Sequence, residues 1–263
     1  MQIEKIIGNE TITYEYNNLR RLTRAINQEG VMEIIYDDNG MPLEVRYPNG
    51  RKITYRYNSL NQRVYMGDSN NGFGVNYSYN GEDRLSEVQL ADTGEIVAQY
   101  EYGLLGELIN RTLGNGAYST YKYEDGSLRL LELTNYFPNG TLSSIFSYQY
   151  DRKGRIVSLS TITGNWTYTY DATGQLIGWN DPHNQTTTIT YDSRGNRVVK
   201  RVGENEIGYS VNNLNQYTVF NNTDTFVYDR NGNLREKNTG GETERYTFNA
   251  AGQLIGTETA DKR

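Results

Sequence analysis

Residues 148–159, YQYDRKGRIVSL, are followed by a near-copy at residues 168–179, YTYDATGQLIGW. Both contain two aromatic residues one residue apart, then Asp, a short polar gap, Gly and an apolar residue. The pattern recurs roughly every twenty residues, which indicates a repeat array whose units must stack on one another to bury apolar surface. The second aromatic residue of each copy lies at Tyr16, Tyr36, Tyr57, Tyr79, Tyr102, Tyr123, Tyr150, Tyr170, Tyr191, Tyr228 and Phe248, with a degenerate copy centred on Val211.

Each copy predicts a β-hairpin turn. Tyr148 and Tyr150 project from the same face of an extended strand. The Asp151 carboxylate can accept amide hydrogens of the turn, and Gly154 can supply the positive φ that closes a type I turn with a bulge. The same turn is expected at Asp37 to Gly40, Asp171 to Gly174, Asp192 to Gly195 and Asp229 to Gly232.

A second class of turns lies about midway between the first. It is expected at Pro48-Asn49-Gly50, Thr93-Gly94, Asn115-Gly116, Pro138-Asn139-Gly140, Gly164-Asn165, Gly203-Glu204 and Gly240-Gly241. Alternating turns separated by strands of about five to eight residues predict a continuous antiparallel meander. The fold class is therefore all-β, an antiparallel meander of repeated β-hairpins, and accumulated twist should coil the ribbon into a spiral or a shell.

We interpret residues 1–263 as a single array of about twelve units of about 20 residues, and as a fragment of a longer shell. Apolar pairs three residues apart, such as Ile156 and Leu159, would face opposite ways in a regular strand. Either a bulge re-aims one member, or both faces of the sheet are partly covered. The tyrosine rings are expected to stack from hairpin to hairpin, and the long interval between Tyr123 and Tyr150 predicts an extended hairpin.

Composition excludes several classes of function. The formal net charge is -6, and no Lys/Arg stripe could follow a phosphate backbone, so nucleic acid is not an expected partner. The absence of cysteine removes disulfides and thiol chemistry. No apolar run is long enough to cross a membrane, and the start of the sequence lacks the features of a signal peptide. Membrane insertion by this segment is not expected.

Candidate catalytic residues have structural interpretations. The Asp residues of the repeats all occupy the same turn position, where a carboxylate stabilises the backbone. His183, the only histidine, follows Asp181-Pro182 in an expected turn, so it is expected to be an exposed loop residue. No Ser, His and Asp triad can be built around it, and dense acidic loops for calcium are missing. We therefore assign no catalytic, cofactor-binding or metal-binding residue, and no enzymatic activity.

The segments YDRKGRI, YDATGQL, YDSRGNRV and YDRNGNL, which begin at Tyr150, Tyr170, Tyr191 and Tyr228, resemble the YD repeats of bacterial Rhs proteins, of the cocoon components of insecticidal toxin complexes and of animal teneurins. The resemblance implies a hairpin ribbon that spirals into a hollow shell, which in the toxin branches encloses a C-terminal effector. The Asp-Pro self-cleavage segment of Rhs shells has no match, because Asp181-Pro182 is followed by His183 and lies inside the array.

The sequence thus favours a non-enzymatic section of a β-shell that encloses or displays a C-terminal effector or domain. Its expected partners are the remainder of its own shell and an enclosed C-terminal polypeptide. The alternative is a cell-surface or glycan-binding adhesion module that uses exposed aromatic residues, with a cell-surface glycan or protein as its partner. Either function implies an extracellular, exported or cell-surface location, although this segment carries no targeting signal.

Overall fold

The computed structural model describes residues 2–7, 10–70, 72–249 and 252–261. The chain divides into two compact halves, residues 1–145 and residues 146–263. The ends of the predicted array, Met1 and residues 262–263, lie outside the described residues.

The described residues of the first half contain thirteen complete strands: β1 (Gln2–Ile7), β2 (Glu10–Tyr16), β3 (Leu22–Asn27), β4 (Gly30–Tyr36), β5 (Pro42–Arg46), β6 (Lys52–Tyr57), β7 (Arg63–Asp68), β8 (Phe73–Tyr79), β9 (Leu85–Leu90), β10 (Ile96–Tyr102), β11 (Leu108–Leu113), β12 (Tyr118–Tyr123) and β13 (Leu130–Tyr136). Each strand pairs antiparallel with the next one along the chain.

The boundary between the two halves falls within β14 (Leu142–Tyr150). This strand is followed by β15 (Ile156–Thr161), β16 (Gly164–Tyr170), β17 (Leu176–Asn180), β18 (Thr186–Tyr191), β19 (Arg197–Val202), β20 (Asn205–Val211), β21 (Tyr217–Phe220), β22 (Asp224–Tyr228), β23 (Leu234–Thr239), β24 (Glu242–Phe248) and β25 (Leu254–Asp261). Consecutive strands of the second half are again antiparallel neighbours. The predicted fold class, an all-β antiparallel meander of repeated hairpins, is confirmed, and the described residues contain no helix.

The Asp-x-x-Gly turns have the predicted geometry. The Asp151 amide donates to the Arg155 carbonyl at 2.9 Å, and the Gly154 amide donates to the Asp151 carbonyl at 3.0 Å. Asp151 Oδ1 accepts the amides of Lys153 and Arg155 at 2.8 and 3.0 Å. Gly154 has a φ of +80°, which explains why the repeat places Gly here.

Most second-class turns also lie where the sequence predicts them, but one prediction was displaced. The turn expected at Gly164-Asn165 is formed by Ile162 and Thr163, and Gly164 is the first residue of β16, with a φ of +131°. A Cβ at Gly164 would lie 2.4 Å from Pro182 Cβ in the following turn of this class, so Gly is needed for the close approach as well as for its φ.

A β-bulge accounts for the apolar pairs three residues apart. Gln149 pairs with Ser158 and Tyr148 with Leu159, but Tyr150 pairs with Ile156, so the register shifts by one residue at the second tyrosine. The same shift recurs at the second aromatic residue of the neighbouring units, for example at Tyr102 and Tyr170. Of the two explanations left open by the sequence, the bulge is the correct one, because it returns Ile156 to the face that carries Leu159.

The sheet therefore has two chemically distinct faces. The aromatic face carries Tyr148, Tyr150 and their partners Leu159 and Ile156, and the equivalent residues of every other unit. The polar face carries Gln149, Ser158 and their equivalents. Most of the buried residues of the aromatic face lie four positions before the second aromatic residue of a unit: Ile12, Ile53, Val75, Ala98, Ser119 and Thr187, which are 4 to 9% exposed. Ile189, two positions before Tyr191, is 6% exposed.

The core is thin. No large side chain in the described part of the chain is less than 2% exposed. Each aromatic residue instead stays half-buried against its neighbours, as the pattern of β16 shows, where Trp166, Tyr168 and Tyr170 are half-buried and the residues between them are exposed. A single unit cannot bury its own apolar surface, and stability has to come from contacts between units.

Candidate functional site

The tyrosine hydroxyls join each unit to the one before it. Tyr102 Oη donates to the Leu85 carbonyl at 2.8 Å, and Leu85 is the residue that pairs with Tyr79 at the preceding bulge. Tyr170 Oη makes the same bond to the Ile156 carbonyl, again at 2.8 Å. Equivalent bonds of 2.7 to 3.0 Å run from Tyr36 to Leu22, Tyr57 to Pro42, Tyr79 to Arg63, Tyr123 to Leu108, Tyr191 to Leu176 and Tyr228 to Tyr217.

This bond explains why the repeat uses tyrosine rather than phenylalanine at the second position. A buried phenol needs a partner for its hydroxyl, and the bulge presents a carbonyl oxygen at a fixed place in the previous unit. The sequence counts 24 Tyr against 6 Phe, and this ratio was the signal that a hydroxyl contact recurs with the period of the repeat.

A second row of contacts runs along the edge formed by the Asp and Asn turns. The side chain five positions after the second aromatic residue reaches the turn of the next unit. Arg155 Nη1 donates to the Asp171 carbonyl at 3.1 Å, and Gln62 Nε2 donates to the Asp83 carbonyl at 3.1 Å. Arg21, Arg84 and Gln216 bond to the next turn in the same way, at 3.2 to 3.3 Å.

Three of these arginines also cover the next tyrosine ring. Arg155 Cζ lies 4.6 Å from the Tyr170 ring centroid, and Arg84 Cζ lies 5.6 Å from that of Tyr102. Arg21 and Tyr36 make the longest such contact, at 5.9 Å. The guanidinium thus links neighbouring units through both a backbone carbonyl and an aromatic face.

The predicted stacking of tyrosine rings from hairpin to hairpin is only partly right. Among the residues that the structure describes, close ring pairs occur at Tyr118–Tyr136, Tyr148–Tyr150, Tyr209–Tyr217 and Tyr209–Phe220. Hydroxyl-to-carbonyl bonds and arginine contacts join the units far more often. Sequence patterns miss such bonds because a backbone carbonyl has no residue identity.

The titratable groups of the repeat reflect these contacts. Burial raises the pKa of Tyr57, Tyr102 and Tyr123, because the phenolate would lose water in the half-buried layer. The amide of Arg155 donates to Asp151 and lowers the pKa of that carboxyl. The pKa of Asp171 is also lowered, chiefly by the hydroxyl of Thr173. The repeat therefore prefers ionised aspartates and neutral tyrosines.

One unit has Gly at the turn position where the others have Asp, Asn or Glu, and it replaces the side-chain acceptor from elsewhere. Gly103 occupies the Asp position, and a Cβ there would lie 2.1 Å from Glu107 Oε1. Glu107 Oε2 instead accepts the Leu105 amide at 2.9 Å, as an Asp at position 103 would do. The sequence signal for this exchange was a Gly in the Asp position with a Glu four residues later.

The polar face of the first half of the chain carries a row of alternating charges. Arg24 lies between Glu15 and Glu33, with nitrogen-to-oxygen distances of 3.1 and 3.2 Å, and Arg46 continues the row at 3.7 Å from Glu33. These side chains are 35 to 52% exposed, so solvent screens the pairs and each contributes little to stability. Their alternation suits a solvated surface.

The residues considered for catalysis have structural places. The turn aspartates bond to the amides of their own turns, as they do at Asp192 and Asp229. His183 is exposed, as predicted, and its amide donates to Asp181 Oδ1 at 2.9 Å. Over residues 2–7, 10–70, 72–249 and 252–261, no group of three or more acidic or histidine side chains could hold a metal ion. No described helix is long and apolar enough to cross a membrane.

Comparison of the sequence with known protein families gives two matches. Residues 125–262 match the teneurin YD-shell family, which is more than half of the chain, and residues 36–72 match the Rhs repeat. The chain belongs to the teneurin YD-shell family. The resemblance seen in the YD motifs is therefore confirmed.

Two solved structures that share this fold are TcdB2-TccC3-TEV and a Tc holotoxin pore. The crystal structure of TcdB2-TccC3-TEV superposes with a TM-score of 0.70 at 14% identity, over 100% of this chain and 18% of that one. The Tc holotoxin pore of Photorhabdus luminescens gives a TM-score of 0.73 at 15% identity, over 98% of this chain and 17% of the other. At this identity the likeness concerns the fold alone.

Curated relatives include a tRNA nuclease and a DNA deaminase toxin. The chain is 26% identical over 196 residues to the tRNA3(Ser)-specific nuclease WapA of Bacillus spizizenii, which covers 69% of this chain and 8% of that protein. It is 27% identical over 210 residues to the double-stranded DNA deaminase toxin A of Burkholderia cenocepacia, over 66% of this chain and 14% of the relative. The chain thus spans a small part of the relatives that it matches.

Proposed function

We propose that this chain is a non-enzymatic section of a YD-repeat β-shell that encloses or displays a C-terminal polypeptide. The observation that carries the proposal is the recurring bond from a tyrosine hydroxyl to the carbonyl of the preceding unit, as at Tyr102 and Leu85. These bonds join neighbouring hairpins in most units, and the recurring Asp and Arg side chains serve the turns and the joints between units. Such a structure is suited to a wall.

The relatives support this function without transferring their activities. A nuclease and a deaminase toxin share a region like this chain, although their named activities differ. A shared region next to different activities is consistent with a common enclosure for different effectors. We place the parent protein outside the cell or in an export pathway for the same reason.

The expected partners are the remainder of the same shell and an enclosed polypeptide. The turn edge of the first half of the chain exposes leucines, such as Leu19 at 67%, Leu60 at 62% and Leu105 at 59%. Leucines at loop tips are suited to packing against another part of a longer shell.

Electron microscopy of the full-length parent tests the proposal. A hollow particle, with its C-terminal region resistant to a protease that digests the same region when it is expressed alone, is the expected result. A solid particle, or equal digestion of the two forms, would contradict enclosure.

The adhesion alternative has less structural support. Trp179, one of the two tryptophans that a glycan-binding module could use, is half-buried, and Lys200 Nζ lies 5.5 Å from its ring centroid. Binding to a glycan array that is lost in Trp179→Ala would favour adhesion over the wall.

A further inference from the structure

The repeat pattern breaks most strongly in the unit that contains β18, β19 and β20. Because of the bulge, the residues that pair with the two aromatic positions of a unit are three apart and share the aromatic face. In most units this pair is apolar: Leu22/Ala25, Pro42/Val45, Leu85/Val88, Leu130/Leu133, Ile156/Leu159, Leu176/Trp179 and Tyr217/Phe220. In β19 the pair is Arg197 and Lys200, which face Tyr191 and Ile189. It is the one pair with two cations in the described residues.

Neither cation has a carboxylate partner. No described Asp or Glu oxygen lies within 4.0 Å of Arg197 or Lys200. The carboxylate of Glu206 lies on the polar face, where it pairs with Arg201 at 2.6 Å. Asp224 pairs with Phe220 two strands away. Two uncompensated positive charges therefore stand on a half-buried, mostly apolar surface, where an anion would be bound strongly.

Aromatic rings hold both cations in place. Arg197 Cζ lies 5.5 Å from the Tyr209 ring centroid, and Lys200 Nζ lies 5.5 Å from that of Trp179. Arg197 Nε is buried and has no hydrogen-bond partner. The Tyr209 side chain, a neutral partner, raises the pKa of Arg197 and leaves its positive charge without a carboxylate.

The next unit also departs from the repeat at this place. Its second aromatic position is Val211, so no phenol is present there to donate to the Arg197 carbonyl, as Tyr191 does to that of Leu176. A smaller side chain therefore occupies the position that a tyrosine ring fills in most units. The residues around it, including Ile189 and Ile207 opposite Lys200, are apolar.

We propose that Arg197 and Lys200 form a binding site for an extended peptide segment with two acidic residues at alternate positions. Tyr191 and Ile189, which face the two cations, are two residues apart in one strand. Two side chains on one face of an extended peptide are separated by about 6 to 7 Å, which is the same spacing. Each carboxylate meets one cation, and the apolar surroundings favour the flanking side chains of a peptide over the hydroxyls of an acidic sugar.

Fluorescence anisotropy of labelled peptides tests this site on the 263-residue chain. The probe is a blocked peptide Val-Glu-Val-Glu-Val, with Val-Gln-Val-Gln-Val as the uncharged control and Val-Glu-Glu-Val-Val as the spacing control. The Glu-x-Glu peptide is expected to bind at least about tenfold more tightly than either control, since the loss of one charged contact costs about a factor of ten or more. This binding does not depend on the wall function.

Matched variants separate the site from general charge. Arg197→Leu/Lys200→Leu gives the pair found at Leu130/Leu133, so the fold is retained, and binding is expected to fall by about tenfold or more. Arg201→Leu removes a cation of the same strand from the opposite face and should leave binding unchanged. Equal affinity for the three peptides, equal losses in both variants, or stronger binding of an oligogalacturonate than of the peptide would overturn the proposal.

Discussion

Removal of the hydroxyl bonds between repeats should lower the free energy of unfolding of the first half of the chain, by an amount that the geometry sets. We choose Tyr79→Phe/Tyr102→Phe/Tyr123→Phe, whose hydroxyls donate to backbone carbonyls at 2.8, 2.8 and 3.0 Å. Each substitution deletes one oxygen and keeps the ring. Phe248 occupies the same position in a natural unit, so the ring alone is sterically acceptable there.

The expected loss is about 3 kcal/mol. One intramolecular hydrogen bond contributes about 1 kcal/mol net, and the acceptor carbonyl loses a half-buried partner. The three sites are two strands apart, which corresponds to about 10 Å, so the effects should add. Urea unfolding followed by circular dichroism measures the change in the free energy of unfolding, with the slope in urea as a check that the denatured state is unaltered.

The first tyrosines of the same three units supply the control. Tyr77, Tyr100 and Tyr121 lie on the same strands and face, and their hydroxyls donate to no protein atom among the described residues. Tyr77→Phe/Tyr100→Phe/Tyr121→Phe should therefore change stability by less than about 1 kcal/mol. Equal losses in the two triple variants would show that the phenols act through burial or solvation, and the hydroxyl bond would not be what joins the units.

Other predictions concern single turns and pH. Because an amide bond lowers the pKa of Asp151, its contribution is present above pH 4 and is lost as pH falls through the lowered value; Asp151→Asn, which keeps the acceptor oxygen, should flatten acid unfolding monitored by circular dichroism. Because burial raises the pKa of Tyr57, the stabilisation is present below about pH 10 and is lost as pH rises through the raised value, which phenolate absorbance and circular dichroism should report together. Gly164→Ala should cost about 1 to 3 kcal/mol in urea unfolding, since its φ is +131°. Gly103→Asp and Glu107→Ala should each cost about 1 kcal/mol, while the double variant should lose less than the sum, because the new aspartate restores the acceptor; additive losses in the double-mutant cycle would contradict the exchange.

The turns could be predicted from the sequence because their chemistry is local. Asp151 and Gly154 lie three residues apart, and the carboxylate and the positive φ act within the same loop. The turn at Gln28 and Glu29 was not predicted, because neither residue is a usual turn former and the Gly that signals it, Gly30, lies in the strand. The turn predicted at Gly164 and Asn165 was displaced by two residues for the same reason.

The contacts between units could not be predicted, because they depend on register. Whether Ile156 shares a face with Leu159 is decided by a one-residue shift at Tyr150, and period-two reasoning gives the opposite answer without it. The acceptor of each tyrosine hydroxyl is then a backbone carbonyl in another hairpin. The site at Arg197 was missed for the same reason, since only the bulge places Arg197 and Lys200 side by side on the aromatic face.

Departures from the repeat differ in whether the chain compensates for them. The missing carboxylate at Gly103 is replaced by Glu107, and Lys237 on the aromatic face faces Glu244, with 3.5 Å between the charged atoms. Arg197 and Lys200 have no such replacement, and position 211 lacks the phenol as well. A wall whose stability depends on repeated contacts would be strengthened by an apolar pair here, because two half-buried cations without counter-ions are costly. Their presence is therefore better explained by a ligand that supplies the negative charge than by the architecture of the sheet.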